Sequence, residues 1–507
     1  MLSIFKEKIS LFYKTIKFSN NEKKIIKKYS NHKFNQKNEN IIFEMVPDYY
    51  YLYYYKTLFD QNYFKNYNKI GLWTYFLPTQ KNSSSWIFLS RRIYQMTYYF
   101  FLRKKWAKLY KTIGMVDDVN LTRSDFYLFN TKSHQDKIQF KNREVIFNLK
   151  KKNLRVGDLI YDTYLRFRSK PTVFVRDKFF GYLYRKTDQI IANLDNIYKK
   201  YKPIVYFTGY SSYLQHGLPV RYFIQKDIKV YSGKNNYQLN KKLSKLDYTH
   251  TENYKNFKIL YAKKKNKKKI LKFSKKKIIE RFNGKITEHI NYLKIDPYKR
   301  NKKLENKFRK NIKNIKGVIF LQDFFDAPHD WGKIIFPDFY IWIVYTLSII
   351  NKNNLPIALK PHPNTYFFSK ETKYLIDRLR KRFKNINWLD PSLSNDFIFK
   401  NIDFGVSCSG SILFELAMNK KVAISCGDHP GKYFNFTINA KNKIHYRKLL
   451  LEYKKLKKKV NLRDLYAFNY MYYYNKNNAL NLKNIKLEEC LRKMRIATSN
   501  EINIFYD

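Results

Sequence analysis

Four short stretches between residues 317 and 431 carry residue types that could do chemistry. Lys360-Pro361-His362-Pro363 follows the apolar run Ile357-Ala358-Leu359. That run reads as a strand, so His362 stands at its carboxyl end, aimed by two flanking prolines. An imidazole there donates to a phosphate oxygen or touches a ribose; the plainer reading, at even weight, is a loop histidine with no ligand. Ser407-Cys408-Ser409-Gly410-Ser411 precedes Ile412-Leu413-Phe414-Glu415. A small, hydroxyl-rich turn opening a helix offers backbone N–H groups and hydroxyls to an anion, and the helix dipole favours negative charge. Glu415 would then accept from ribose hydroxyls. Against this stands an ordinary serine cap, with Glu415 supporting the helix electrostatically.

The third stretch is Leu321-Gln322-Asp323-Phe324-Phe325-Asp326-Ala327-Pro328-His329. Asp323, Asp326 and His329 suit substrate contact or proton transfer. Local turn chemistry is the competing reading, favoured slightly for Asp323 and less for Asp326. The fourth is Gly427-Asp428-His429-Pro430-Gly431, a glycine-rich loop that lets a ligand approach the backbone or is simply a turn.

Strands and helices alternate around these loops, the pattern of parallel α/β domains. In the first half, Ile41–Val46 and Ile70–Phe76 read as strands, as do Glu144–Phe147, Pro203–Thr208 and Ile228–Tyr231. Helices are expected over Tyr49–Phe59, over residues 86–111, after Gly157-Asp158, over Thr187–Tyr201 and around His216. In the second half, strands are expected at Gly317–Leu321, Pro356–Lys360, Ile386–Leu389, Asp403–Val406 and Val422–Ser425. Helices fall between them at Asp338–Ile350, residues 369–383 and Ile412–Met418, and residues 440–507 read as mainly helical. The expected organisation is a basic helical extension over 1–40 and a Rossmann-like domain over 41–235. A Lys-rich connection over 236–312, a second Rossmann-like domain over 313–460 and terminal helices over 461–507 complete it.

The chain has 507 residues, 44% hydrophobic and 18% aromatic, enough for two buried cores. Its formal net charge is +61. The excess is Lys-led and accompanied by many Asn, Ile, Tyr and Phe, a pattern that AT-rich codons produce without selection for a partner. No specific nucleic acid is therefore expected, because bases and phosphates are read by Arg forks. An anionic inner-membrane surface remains a partner that such charge suits. Cys408, Cys426 and Cys490 form no C-x-x-C pair, which fits a reducing compartment. No apolar run spans a membrane, and residues 1–17 read as a surface helix rather than a signal peptide.

The stretches D-F-F-D-A-P-H, F-P-D-F-Y-x-W, K-P-H-P, S-G-S-x-x-x-E-L-A and D-H-P-G-K-Y run in this order from Asp323 to Tyr433. Upstream lie Gly157-Asp158-Leu159-Ile160-Tyr161-Asp162-Thr163-Tyr164-Leu165-Arg166 and Tyr213-Leu214-Gln215-His216-Gly217-Leu218-Pro219-Val220-Arg221. Together they resemble bacterial capsule polysaccharide biosynthesis proteins, relatives of the Kdo transferases. The resemblance implies a GT-B fold, two Rossmann-like doubly wound domains facing a cleft, with the donor nucleotide held mainly by the C-terminal one. It implies a cytoplasmic glycosyltransferase, peripheral on the plasma membrane's inner face, that serves a surface polysaccharide. Its substrates would be a nucleotide-sugar donor, a CMP-sugar favoured, and a glycan or glycolipid acceptor. It needs no further cofactor and normally no metal; Asp117-Asp118 is a weak metal motif in a loop.

By that similarity Lys360, His362, Pro363, Ser409, Gly410, Ser411 and Glu415 would hold the nucleotide. Asp158, Arg166, Asp323, His329 and His429 would line the cleft. Glycosyl transfer needs an acceptor hydroxyl deprotonated as the bond forms. Asp162 is the first choice for that base, with Asp158 and His216 behind it and Asp326 as a further catalytic candidate. If His216 were the base, an alditol-phosphate transferase like the CDP-glycerol enzymes would be favoured instead. A non-enzymatic nucleic-acid or membrane-surface binder and a degenerate transferase kept as an assembly partner are the remaining alternatives.

Overall fold

The computed structural model describes residues 35–45, 66–74, 112–115, 143–233, 239–251, 254–284, 295–330, 332–367 and 370–475. The expected helices at Tyr49–Phe59 and 86–111, most of the 1–40 extension, Asp117-Asp118, Cys490 and residues 476–507 lie outside them. The chain divides into two compact units. One comprises Met1–Ser169, Val173–His250 and Asn477–Asp507, the other Lys170–Thr172 and Thr251–Lys476.

The first unit is built on a six-stranded sheet. Its strands are β1 (Asn40–Met45), β2 (Asn68–Trp73), β3 (Thr112–Met115), β6 (Val205–Thr208), β7 (Lys229–Gly233) and β8 (Leu239–Leu243). A two-residue hairpin, β4 (Lys150–Lys151) and β5 (Leu154–Arg155), stands apart from it. The order is β3-β2-β1-β6-β7-β8, parallel except for β8. Ile41, Ile42 and Phe43 are all buried, as a parallel strand covered on both faces requires. The helices are α1 (Arg143–Ile146), α2 (Gly157–Arg168), α3 (Lys178–Tyr201) and α4 (Leu218–Gln225). Ile190, Ile191, Leu194 and Ile197 form the buried stripe of α3, which Asp177 caps by accepting from the Phe179 N–H. The expected strand Glu144–Phe147 is instead the single helical turn α1. Such a short apolar run has no period to settle its type, and Gly157 packs directly on the Ile146 carbonyl.

The second unit opens with α5 (Phe257–Ala262), α6 (Lys267–Phe282) and α7 (Lys302–Ile312). Its sheet holds β9 (Gly317–Phe320), β10 (Ile357–Lys360), β11 (Phe404–Ser407), β12 (Val422–Ser425) and β13 (Thr437–Asn439). The order is β10-β9-β11-β12-β13, all parallel. Helices α8 (Phe339–Lys352), α9 (Lys370–Arg382), α10 (Asn395–Asn401), α11 (Ile412–Met418), α12 (Lys443–Leu451) and α13 (Leu462–Asn469) complete it. The expected strand Ile386–Leu389 is only a single bridge, Trp388 to Leu359, beside the edge strand β10.

Residues 236–312 do not form a separate connection. Leu239–Leu243 closes the first sheet, and Thr251–Lys476 belongs to the second unit. The Lys-dense α6 buries Ser274, Ile278 and Arg281 rather than an apolar stripe, so its packing face reads as polar in the sequence. Ser274 donates to the Tyr466 carbonyl (2.7 Å) and accepts from Asn469 (2.9 Å), tying α6 to α13. Helix α13 is likewise part of this core, with Leu465, Ala467 and Phe468 buried, rather than an added terminal helix. Among the described residues, no helix is long and apolar enough to cross a membrane.

Candidate functional site

An open α/β sheet binds ligands outside its carboxyl edge, where the strand order reverses. In the first unit the reversal lies between β1 and β6. Glu44, near the end of β1, is fully buried there. Its Oε2 accepts from the Thr208 hydroxyl (2.9 Å) and the Gly209 N–H (2.8 Å), both at the end of β6. Its Oε1 bonds Nδ1 of His216. A carboxylate only accepts, so Nδ1 carries a proton and donates this bond. His216 rides on a π-helical turn, Tyr213–Gly217, and its side chain keeps 12% exposure. Tyr213 adopts φ 60°, and a Cβ at Gly217 would fall 2.4 Å from the Ser211 carbonyl oxygen, so only glycine fits there. The Leu214 N–H donates to Thr163 on α2 (2.8 Å), anchoring the turn. Tyr210 packs edge-on against the His216 ring and lies against His250. His250 is bonded to Ser211 (2.9 Å), and burial drives its pKa down to about 3.

In the second unit the reversal lies between β9 and β11, where Gln322 and the Ser409-Gly410-Ser411 turn emerge. Gln322 donates to Ser409 Oγ (3.4 Å), and Ser407 Oγ donates to the Phe320 carbonyl (3.2 Å). Ser411 makes no side-chain cap to α11; its hydroxyl accepts instead from Arg281 (3.3 Å). Behind the turn lies a buried polar network. Glu415 bonds Arg281, Tyr298 (2.6 Å) and Asn395 (3.3 Å), and Asn395 accepts from Lys360 Nζ (2.8 Å). Within these bonds two cations meet one carboxylate, and Asp390 acts on Lys360 from outside them. Burial lowers the Lys360 pKa to about 8, opposed by the negative charge of Glu415.

His362 follows β10 and opens a 3-10 turn. Its Nδ1 accepts from the Asn364 N–H (3.1 Å), so the proton sits on Nε2. Burial first, and the Lys360 charge second, bring its pKa down to about 4. The ring is therefore neutral at pH 7 and presents a donor, the form that suits a phosphate or hydroxyl oxygen. Cys408 and Cys426, each just past the paired strand ends Ser407 and Ser425, are buried with their Sγ atoms 2.7 Å apart.

No protein-family profile and no curated protein matches the chain. Similar solved structures include UDP-GlcNAc 2-epimerase from Methanocaldococcus jannaschii in complex with UDP-GlcNAc and UDP. That likeness is at 11% identity and TM-score 0.28, over 90% of this chain and 99% of that one. KpsC, a beta-Kdo 2,7-transferase of Thermosulfurimonas dismutans, is similar at 14% identity and TM-score 0.28, over 54% and 79%. A glycosyltransferase of Rickettsia africae is similar at 11% identity and TM-score 0.25, over 91% and 100%. The strand orders themselves, rather than these likenesses, establish two doubly wound α/β units.

Several expected site residues have other work. Asp158 is held by both terminal nitrogens of Arg221 (2.7 and 2.6 Å), which also stacks on Tyr248. It is a structural ion pair. Asp162 is buried in α2, whereas the His216 side chain reaches the surface in part. Arg166 sits half-buried in the last turn of α2, where the helix dipole favours a cation. Asp323 accepts from the Phe325 N–H (3.3 Å) and the exposed Asp326 from the Ala327 N–H (3.0 Å), both ordinary turn contacts. His329 is half-buried in the same loop. His429 is buried against Phe436 and Phe468, with Nδ1 accepting from the Gly431 N–H (3.0 Å). Burial lowers its pKa to about 3, so it stays neutral within the core. Glu415 has both oxygens engaged internally, which makes it the anchor of Arg281 rather than a free ribose acceptor. Pro363 begins the 3-10 turn that seats His362.

Glu44, Arg281, Tyr298 and Asn395 were not singled out from sequence. Two had a signal. Glu44 is the one charge in Ile41-Ile42-Phe43-Glu44-Met45, and Arg281 is the one arginine of a lysine helix.

Proposed function

We propose that the chain is a GT-B-type glycosyltransferase that moves a sugar from a nucleotide-activated donor, a CMP-sugar favoured, to a growing capsule or other surface glycan. The observation that carries this reading is the Ser409-Gly410-Ser411 turn at the reversal of the second sheet. Of its half-exposed hydroxyls, that of Ser411 accepts from Arg281, and Lys360 joins the same buried network through Asn395. The donor's phosphates would lie on this turn, with His362 Nε2–H donating to them. Fixed cationic and N–H donors stabilise the charge that develops on a departing nucleotide, so no metal is required by this scheme.

In the first unit His216 Nε2 would take the proton of the acceptor hydroxyl as that oxygen bonds to the anomeric carbon. Glu44 would stabilise the imidazolium so formed and hold its orientation. The Glu44–His216 pair also favours a second reading, a CDP-alditol-type phosphotransferase, in which the same base activates a hydroxyl against phosphorus. The two differ in product. Full-length protein is incubated with CMP-sugars, UDP-sugars or a CDP-alditol and an acceptor glycan, and the product is analysed by mass spectrometry and phosphorus NMR. A glycosidic product supports the first reading and a phosphodiester the second. Neither product from any donor contradicts both.

A further inference from the structure

We propose that the outer face of α6 docks on an anionic lipid bilayer. The helix buries Ser274, Ile278 and Arg281 against the second unit. At the 3.6-residue period, Lys268, Lys269, Lys272 and Lys276 fall on the opposite side, and all four are exposed. Two large apolar side chains share that exposed surface, Ile279 (48% exposed) and Phe273 (40%). Ile259, just before α6 on α5, is also exposed. Of the nine exposed large hydrophobic residues among those described, three therefore lie within residues 259–279. The Phe273 ring is backed edge-on by Tyr474 (5.2 Å) and Tyr470 (6.3 Å), and Lys277 Nζ lies 5.9 Å from its centre.

Lysines with long apolar stems around an aromatic cluster match the head-group layer of a bilayer. Rings and stems enter the acyl boundary while the ammonium groups stay with lipid phosphates. The sole arginine of α6 is buried on Glu415, so this face holds no guanidinium fork for reading nucleic acid. The lipid chemistry is thus diffuse negative charge with an apolar interior, and each lysine near such a surface strengthens binding about fivefold. The surface stands without the transferase reading.

Full-length protein is co-sedimented with neutral phosphatidylcholine vesicles and with vesicles containing about one-third phosphatidylglycerol. Binding is expected only to the anionic vesicles, and weakened by salt. Lys268→Glu/Lys272→Glu/Lys276→Glu should reduce it about a hundredfold or more, and Phe273→Ser/Ile279→Ser about tenfold. Lys454→Glu/Lys457→Glu/Lys459→Glu carries the same change of net charge on another exposed segment and should cost far less. Equal binding to both vesicle types would overturn the proposal. So would equal losses in the two charge-reversal variants, or binding of duplex DNA in preference to vesicles with no effect of the Phe273/Ile279 change. Nucleotide stabilisation measured on the same variants reports separately on the transferase reading.

Discussion

His216 in the first unit and His362 in the second both follow the carboxyl end of a parallel strand, yet their Nδ1 atoms play opposite roles. His216 donates from Nδ1 to a buried carboxylate. A backbone N–H holds Nδ1 of His362 and leaves Nε2 as a donor. In the proposed reaction the same side chain would remove a proton in one unit and recognise an anion in the other. What differs is the sequence distance of the partner. Glu44 is 172 residues from His216, whereas Asn364 is two residues from His362.

The largest effect should follow from removing the base. His216→Gln is expected to lower turnover about 10²–10⁴-fold while nucleotide stabilisation persists. Loss of nucleotide binding in this variant would erase the contrast between the two histidines. Glu44→Gln, a positioning change, should lower turnover less and shift its pH profile; an unchanged profile would mean that Glu44 only packs. In the second unit, Glu415→Ala strands Arg281 in the core and should destabilise by about 3–5 kcal/mol in denaturant unfolding. A loss under 1 kcal/mol would show that the buried network is not holding the turn.

His362→Gln keeps an N–H donor near the Nε2 position and should bind nucleotide within about tenfold of the unaltered chain, while His362→Ala should lose more. If the two variants bind alike, the donor assignment fails. The smallest effects are on pH dependence. His429 and His250 have folded pKa values of about 3 against 6.5 unfolded. The unfolded chain therefore takes up protons first on acidification, so stability falls as pH drops from about 6.5 towards 3. His429→Asn should flatten part of that fall in unfolding curves collected across the range. Lys360 is charged below about 8, so its contribution to nucleotide affinity should fade as pH rises through that value. Lys360→Met should remove this step.

Local features were legible in the sequence and long-range partners were not. The strands around Ile42, Ile319 and Ala423, the helix at Ile412 and the turn at Ser409 follow from neighbouring residues, and the structure has them. Glu415 was placed on its helix correctly, but its role depends on Arg281, 134 residues away on a helix whose packing face is polar. The same holds for Asp158, whose apparent availability ends at Arg221, and for Asp162, whose burial follows from how α2 packs. Strand β13 was missed because three residues give too short a period to recognise.

Thermal stabilisation by CMP, CDP, UDP, GDP and ADP, measured on the full chain and on His362→Ala, tests nucleotide binding by the second unit most directly. A ligand at a hundred times its dissociation constant adds about 2.7 kcal/mol, enough to move the melting temperature visibly. The account predicts a selective shift with CMP or CDP that His362→Ala diminishes. A selective UDP or GDP shift would keep the site and replace the donor. No shift with any nucleotide, in a protein that melts cooperatively, would contradict the account.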